Sequence, residues 1–344
     1  MRENSIEQKH ITNTFRQQQQ QTGCSSDSHS GNKREDIESL DFSDMLKTLC
    51  HQKRALSPKL REIMAKIHIC SQLSQDDYKH FMMIISQANF RKLEHPGYYR
   101  AILAEKSKYP DLFFSCINKD IPRTMPDDHP LQGALRNVLC AYAIRNPSVL
   151  YCQGMNYLVG FLLINKLSEE EAFWLLVQLV EDIVMPDYFK DLSTLSITVQ
   201  VFEDVIKQAF PELAQEMAEV GMESGIFLVG WYICLFTKGF INSVSQFLLQ
   251  EIVMDSYNYP IGFTLIKISL TIFATLFTRE QRFEFQEKDF KSLKESIEGN
   301  VYEISLQELK SSMDYFEFSY EAYAKLREIY VERRQKLFAK ALQK

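Results

Sequence analysis

The chain has 344 residues, 45% of them hydrophobic and 24% charged, enough for one large domain with its own core and a smaller appendage. A formal net charge of -6 argues against a nucleic-acid binder, which would carry a basic stripe for phosphates. Seven cysteines, an odd number with no CxxC pair and no close Cys/His spacing, suggest neither a disulfide framework nor a zinc site, so a reducing, cytoplasmic setting is expected.

Residues 1–38 are rich in Gln, Ser, Asn and charge, with a run at Gln17 to Gln21, and hold too little apolar surface to offset the entropy of ordering. They are expected to form a disordered tail without a signal peptide, dispensable for activity. From Ser39 onward helical periodicity dominates and alternating β-branched stretches are hard to find. The expected fold is all-α, with one large helical domain over 39–280 and a helical extension over 281–344.

A first polar cluster runs from Ile117 through Asp120 to Arg123 and Thr124. Pro122 is expected to break helix formation there and to hold Arg123 in a loop. The next helix should open at Pro130, carry Leu131, Leu135, Val138, Leu139 and Tyr142, and end at Asn146-Pro147. A second cluster follows as Tyr151-Cys152-Gln153-Gly154, leading into a helix with Met155, Leu158, Val159, Leu162 and Leu163 on one face. Gln-Gly at this place is notable, because Asp or Ser would cap the helix better.

Further along, Ser168 to Glu171 and Ser305 to Glu308 both read as capping boxes. Pro211 suits the first turn of a helix that Gly221 can close in a left-handed conformation. Ile226 to Phe236 and Ile261 to Phe277 are the most apolar stretches; both fall short of the roughly 20 clean residues of a spanning helix and read as buried core. The last helix carries Tyr320, Tyr323, Leu326, Ile329, Tyr330 and Leu337 as a stripe, for packing on the domain itself or for a dimer or partner helix.

Taken singly, the polar residues have ordinary explanations. Arg123 reads as a surface arginine paired with Asp120, and Gln153 as a polar residue filling a first helical turn, with Gly154 easing the bend. Tyr151 and Met155 read as core contacts. The helix between the clusters, about 16 residues long, would span about 24 Å, so Arg123 and Gln153 meet only if the flanking loops fold back along it. No GxxxxGK[ST], HExxH or GxSxG segment occurs, so the chain shows no signature of a cofactor or metal of its own.

Together, IxxDxxR (Ile117, Asp120, Arg123) and YxQG (Tyr151, Gln153, Gly154) resemble the paired finger motifs of TBC-domain proteins, the GTPase-activating proteins for Rab-type small GTPases. "DIPRT", "LRNVLCAYAIRNP", "YCQGMNYLVGFLL", "EEEAFWLLVQLVE" and "GWYICLF" are similar to successive landmarks of that family, and the resemblance covers approximately Leu56 to Phe277. Three places depart from it: Ala65 stands where a tryptophan is usual, Met125 where a phenylalanine is common, and Ile252-Val253-Met254-Asp255 replaces the RIWD stretch.

The resemblance implies an all-helical fold and a GTP-bound Rab-type GTPase as partner, with GTP and Mg belonging to that partner. Arg123 would be an arginine finger that neutralises developing phosphoryl charge, and Gln153 would orient the attacking water. Asp120 would orient Arg123, and Gly154 would let the backbone approach the partner closely. Membrane association would be indirect through that partner, in vesicle trafficking, since no lipidation motif is visible. The alternative is a GTPase-binding adaptor of the same fold that does not accelerate hydrolysis.

Overall fold

Apolar residues spaced three and four apart build helices throughout, and no strand occurs among the described residues. The computed structural model describes residues 73–278, 289–313 and 318–342. The tail expected over 1–38, the domain start at 39 and the stretch around Ala65 lie outside them.

The first half of the chain is laid down by α1 (Gln75–Ile85), α2 (Ala88–Glu94), α3 (Tyr98–Ala104), α4 (Ser115–Thr124), α5 (Gln132–Arg145), α6 (Met155–Ile164) and α7 (Glu169–Gln178). At its centre is α7, which packs on α2, α5 and α6. Ser168 starts it with the expected capping box, its side chain accepting from the Glu171 N–H while Glu171 reaches back to the Ser168 N–H. Every residue from Ala172 to Gln178 is then buried, as a helix apolar on all sides must be. Burying one leucine of this run, such as Leu175, stabilises the fold by about 1.5–3 kcal/mol.

The second half comprises α8 (Pro186–Lys190), α9 (Ser193–Ala209), α10 (Pro211–Glu219), α11 (Gly225–Ile233), α12 (Asn242–Asp255), α13 (Ile261–Thr278), α14 (Phe290–Tyr302), α15 (Leu306–Ser311) and α16 (Tyr320–Leu342). Here α9 is the hub, in contact with α10, α11, α13 and α16. Pro211 occupies the first turn of α10, Gly221 follows that helix at a φ of 68°, and Ser305 makes the second capping box. Of the apolar stretches expected in the core, α13 is buried along most of its length, whereas α11 buries Phe227, Leu228, Trp231 and Tyr232 and leaves Ile226 exposed. Leu293, Ile297, Val301 and Leu309, beyond residue 280, join the same core.

The halves are tied by polar as well as apolar contacts. Buried Asn165 exchanges hydrogen bonds of 3.0 Å with Asn242 and accepts another of 2.7 Å from Gln246. The Tyr257 hydroxyl donates to the Ile85 carbonyl. Of the terminal stripe, Tyr323 is buried and the Tyr330 hydroxyl donates to Asp204 at 2.5 Å, whereas Ile329 and Leu337 are exposed. Self-packing therefore holds for the start of α16 and not for its far end.

One sequence expectation is overturned at Pro122. The segment is not a loop: Pro122 lies inside α4, which runs on through Arg123 to Thr124. Proline removes the N–H that would bond the Asn118 carbonyl. Ile117 and Ile121, both fully buried, hold the helix against the core nonetheless, and the Met125 N–H closes it on the Ile121 carbonyl at 3.0 Å.

Candidate functional site

Arg123 stands in the last turn of α4, where a cation complements the exposed carbonyls of a helix end. Its side chain is 55% exposed, and one guanidinium nitrogen lies 3.5 Å from Oδ1 of Asp120, three residues back. Asp120 itself is buried. The arginine thus has one guanidinium nitrogen tethered while more than half of its side chain stays exposed.

The loops on either side of α5 fold back along it, so the second polar cluster returns to the first. The Tyr151 hydroxyl donates to Oδ2 of Asp120 at 2.6 Å, with Asn156 Oδ1 as a second acceptor 3.0 Å away. Burial, followed by the bond to the Asp120 carboxylate, pushes the Tyr151 phenol far above its ordinary value, so it stays a proton donor at any physiological pH. Asp120 is therefore shared, one oxygen facing Arg123 and the other Tyr151.

Gln153 is exposed at the tip of the loop between these buried neighbours. Gly154 follows at a φ of 116°, and a Cβ there would lie 2.8 Å from the Ile233 carbonyl oxygen. The close backbone approach seen here that needs glycine is thus to the chain's own α11, and Gly154 is buried. Met155 is core, as its helical position implies. Burial first, then Cys234 and Asp120, push the Cys152 thiol up to about 12, which leaves it inert.

Two residues complete the constellation: Asn156, which sequence reasoning missed, and Thr124, which it placed in the first polar cluster without a role. Asn156, 1% exposed, accepts the Gly154 N–H at 2.9 Å and donates to the Thr124 hydroxyl at 2.7 Å. Thr124 in turn donates to the Asp120 carbonyl at 2.9 Å. An asparagine in the first turn of a strongly apolar helix was the available signal, since a buried amide must be bonded.

The start of the glutamine loop is fixed from the other side. Arg145 grips Glu181 with two bonds of 3.1 Å, and its guanidinium stacks over the rings of Tyr98 and Trp174. Asn146 donates to the same Glu181 and accepts from Ser148 and the Val149 N–H, which sets the turn before left-handed Leu150. Gln153 is therefore displayed on a loop anchored at both ends. No group of three or more His, Cys, Asp or Glu is placed to hold a metal among the described residues. No helix there is long and apolar enough to cross a membrane.

This all-helical arrangement has solved counterparts. The Chlamydomonas flagellar RabGAP TBC domain superposes with a TM-score of 0.59 at 23% identity, covering 79% of this chain and 89% of that one. The Ypt/Rab-GAP domain of Gyp1p gives 0.56 at 16% identity, covering 83% and 99%. At such identities the likeness is one of fold. Residues 83–281 match the family model described as the Rab-GTPase-TBC domain, and the chain belongs to that family.

Among its relatives, Growth hormone-regulated TBC protein 1 of Xenopus laevis is 34% identical over 185 residues, which are 51% of this chain and 54% of the relative. The Homo sapiens protein of that name is 36% identical over 163 residues, 45% and 48% of the two chains. TBC domain-containing protein C4G8.04 of Schizosaccharomyces pombe is 30% identical over 192 residues, 54% of this chain and 24% of the relative. The matched region thus spans about half or less of these relatives' length.

Proposed function

We propose that the protein is a GTPase-activating protein for a Rab-type small GTPase, delivering Arg123 and Gln153 in trans to the GTP-bound partner. The observation that carries this reading is the exposure of both side chains on segments cross-tied beneath them by Tyr151–Asp120 and Asn156–Thr124. Such a base holds two polar groups in a fixed relation before a partner arrives, which lowers the cost of orienting them in the transition state.

Small GTPases hydrolyse GTP slowly because the attacking water and the developing phosphoryl charge are poorly served. Arg123 answers the second need with a permanently charged, planar set of donors that lysine cannot reproduce. Gln153 answers the first: its amide accepts from water with the carbonyl and donates to phosphate with the NH₂. Asp120, held by Tyr151, tethers one guanidinium nitrogen of Arg123 in the last turn of α4. The partner brings GTP and Mg, and association with membranes of the trafficking system is indirect, through that partner.

Single-turnover GTP hydrolysis across a panel of purified Rab proteins tests the proposal, with wild type, Arg123→Ala and Gln153→Ala compared. Wild type should accelerate at least one Rab, and Arg123→Ala should lose on the order of 10³- to 10⁵-fold, with Gln153→Ala also impaired. GTP-dependent binding without acceleration would make the protein an adaptor instead.

A further inference from the structure

Asn156 lies beneath both finger segments and spends both ends of its amide on them. Its Oδ1 takes the N–H of Gly154, the residue after Gln153, and its Nδ2 is bonded to the hydroxyl of Thr124, the residue after Arg123. The first bond orients the Gln153–Gly154 peptide; the second pins the C-terminal turn of α4. Few side chains could do both, since the site needs a neutral group with a donor and an acceptor at opposite corners.

We infer that Asn156 is a positioning residue that sets the placement of Gln153 relative to Arg123, a clamp that touches neither the nucleotide nor the partner. This rests on the reading of those two residues as fingers. Charge is the discriminating property. An aspartate at 156 has the same shape but nothing to donate to Thr124. It would also bring a second carboxylate up to the Tyr151 oxygen, whose one proton already serves Asp120. Burial and the Asp120 charge would raise the pKa of that new carboxyl, against the Gly154 N–H, the N-terminal end of α6 and the Arg123 guanidinium beside Asp120, which favour the anion. Once protonated it regains a donor and resembles the native amide.

The experiment uses the full chain carrying Asn156→Asp. At about pH 8, kcat for Rab GTP hydrolysis should fall on the order of 10²-fold, the scale of a small misplacement of catalytic groups, with KM little changed. Activity relative to wild type should recover as the pH is lowered. Hydrogen exchange measured without any GTPase gives an independent arm: at about pH 8, Asn156→Asp should exchange faster than wild type in both 116–124 and 151–157. Thr124→Val should loosen 151–157 across some thirty residues of sequence.

Wild-type exchange in both variants, or an Asn156→Asp protein with wild-type kcat at about pH 8, would overturn the clamp. If wild type accelerates no Rab while exchange changes as expected, the finger reading fails and the tie between the segments stands.

Discussion

Arg123 and Tyr151 face the same carboxylate from opposite sides, yet they should behave differently when removed. Tyr151→Phe deletes a 2.6 Å bond to a buried acid and should cost about 1–3 kcal/mol in urea denaturation. Arg123→Ala removes a half-open ion pair and should stay within about 1 kcal/mol of wild type. Equal losses would mean that the arginine is kept for stability. Gly154→Ala should cost at least about 1 kcal/mol, because its backbone is left-handed and the added methyl meets the Ile233 carbonyl. The visible part of the site was legible because Arg123 and Gln153 lie in spaced motifs. The hidden part was not: Asn156 and Thr124 gain meaning only when segments some thirty residues apart close on one another.

Where α12, α13 and α15 meet, Glu251 on α12 shares a small cleft with Asp255 and with Lys267 of α13. Burial above all, then Asp255, push its carboxyl up to about 7 from an ordinary 4.5, against the opposing pull of Lys267 and Lys310. The native state therefore holds this proton where the unfolded chain has released it. Stability should fall as the pH rises through the window from about 4.5 to about 7, and level off above it. Glu251→Gln should flatten that slope: between about pH 5 and about pH 8 its melting temperature should drop less than wild type's. Helix ends were easier to read than such helix contacts. Ser168, Ser305, Pro211 and Gly221 act within one turn of sequence. Pro122 misled because its local effect is outweighed by Ile117 and Ile121, whose burial depends on the rest of the fold.

At the scale of the whole molecule, the two halves share one core, and the start of α16 closes it. Tyr323 contacts Phe263 edge-on, and its hydroxyl fills the space beside Gly262. Tyr323→Ala should cost about 3–5 kcal/mol by the measure of large aromatic truncations. Leu337→Ser, at a position 68% exposed, should be within about 0.5 kcal/mol of neutral. The terminal stripe looked uniform in sequence because spacing marks a face without saying how far along it a neighbour extends.

The chain's two tryptophans happen to fall one in each half, Trp174 inside α7 under the Arg145 guanidinium and Trp231 in α11 among Phe227, Phe240 and Phe273. Each indole is thus a native optical reporter for its own half. In Trp174→Phe and Trp231→Phe proteins the remaining emission should follow denaturation of the far and the near half separately. Coincident midpoints, after allowance for each substitution's own cost, would mean that the surface presenting Arg123 and Gln153 cannot loosen without the C-terminal helices loosening with it.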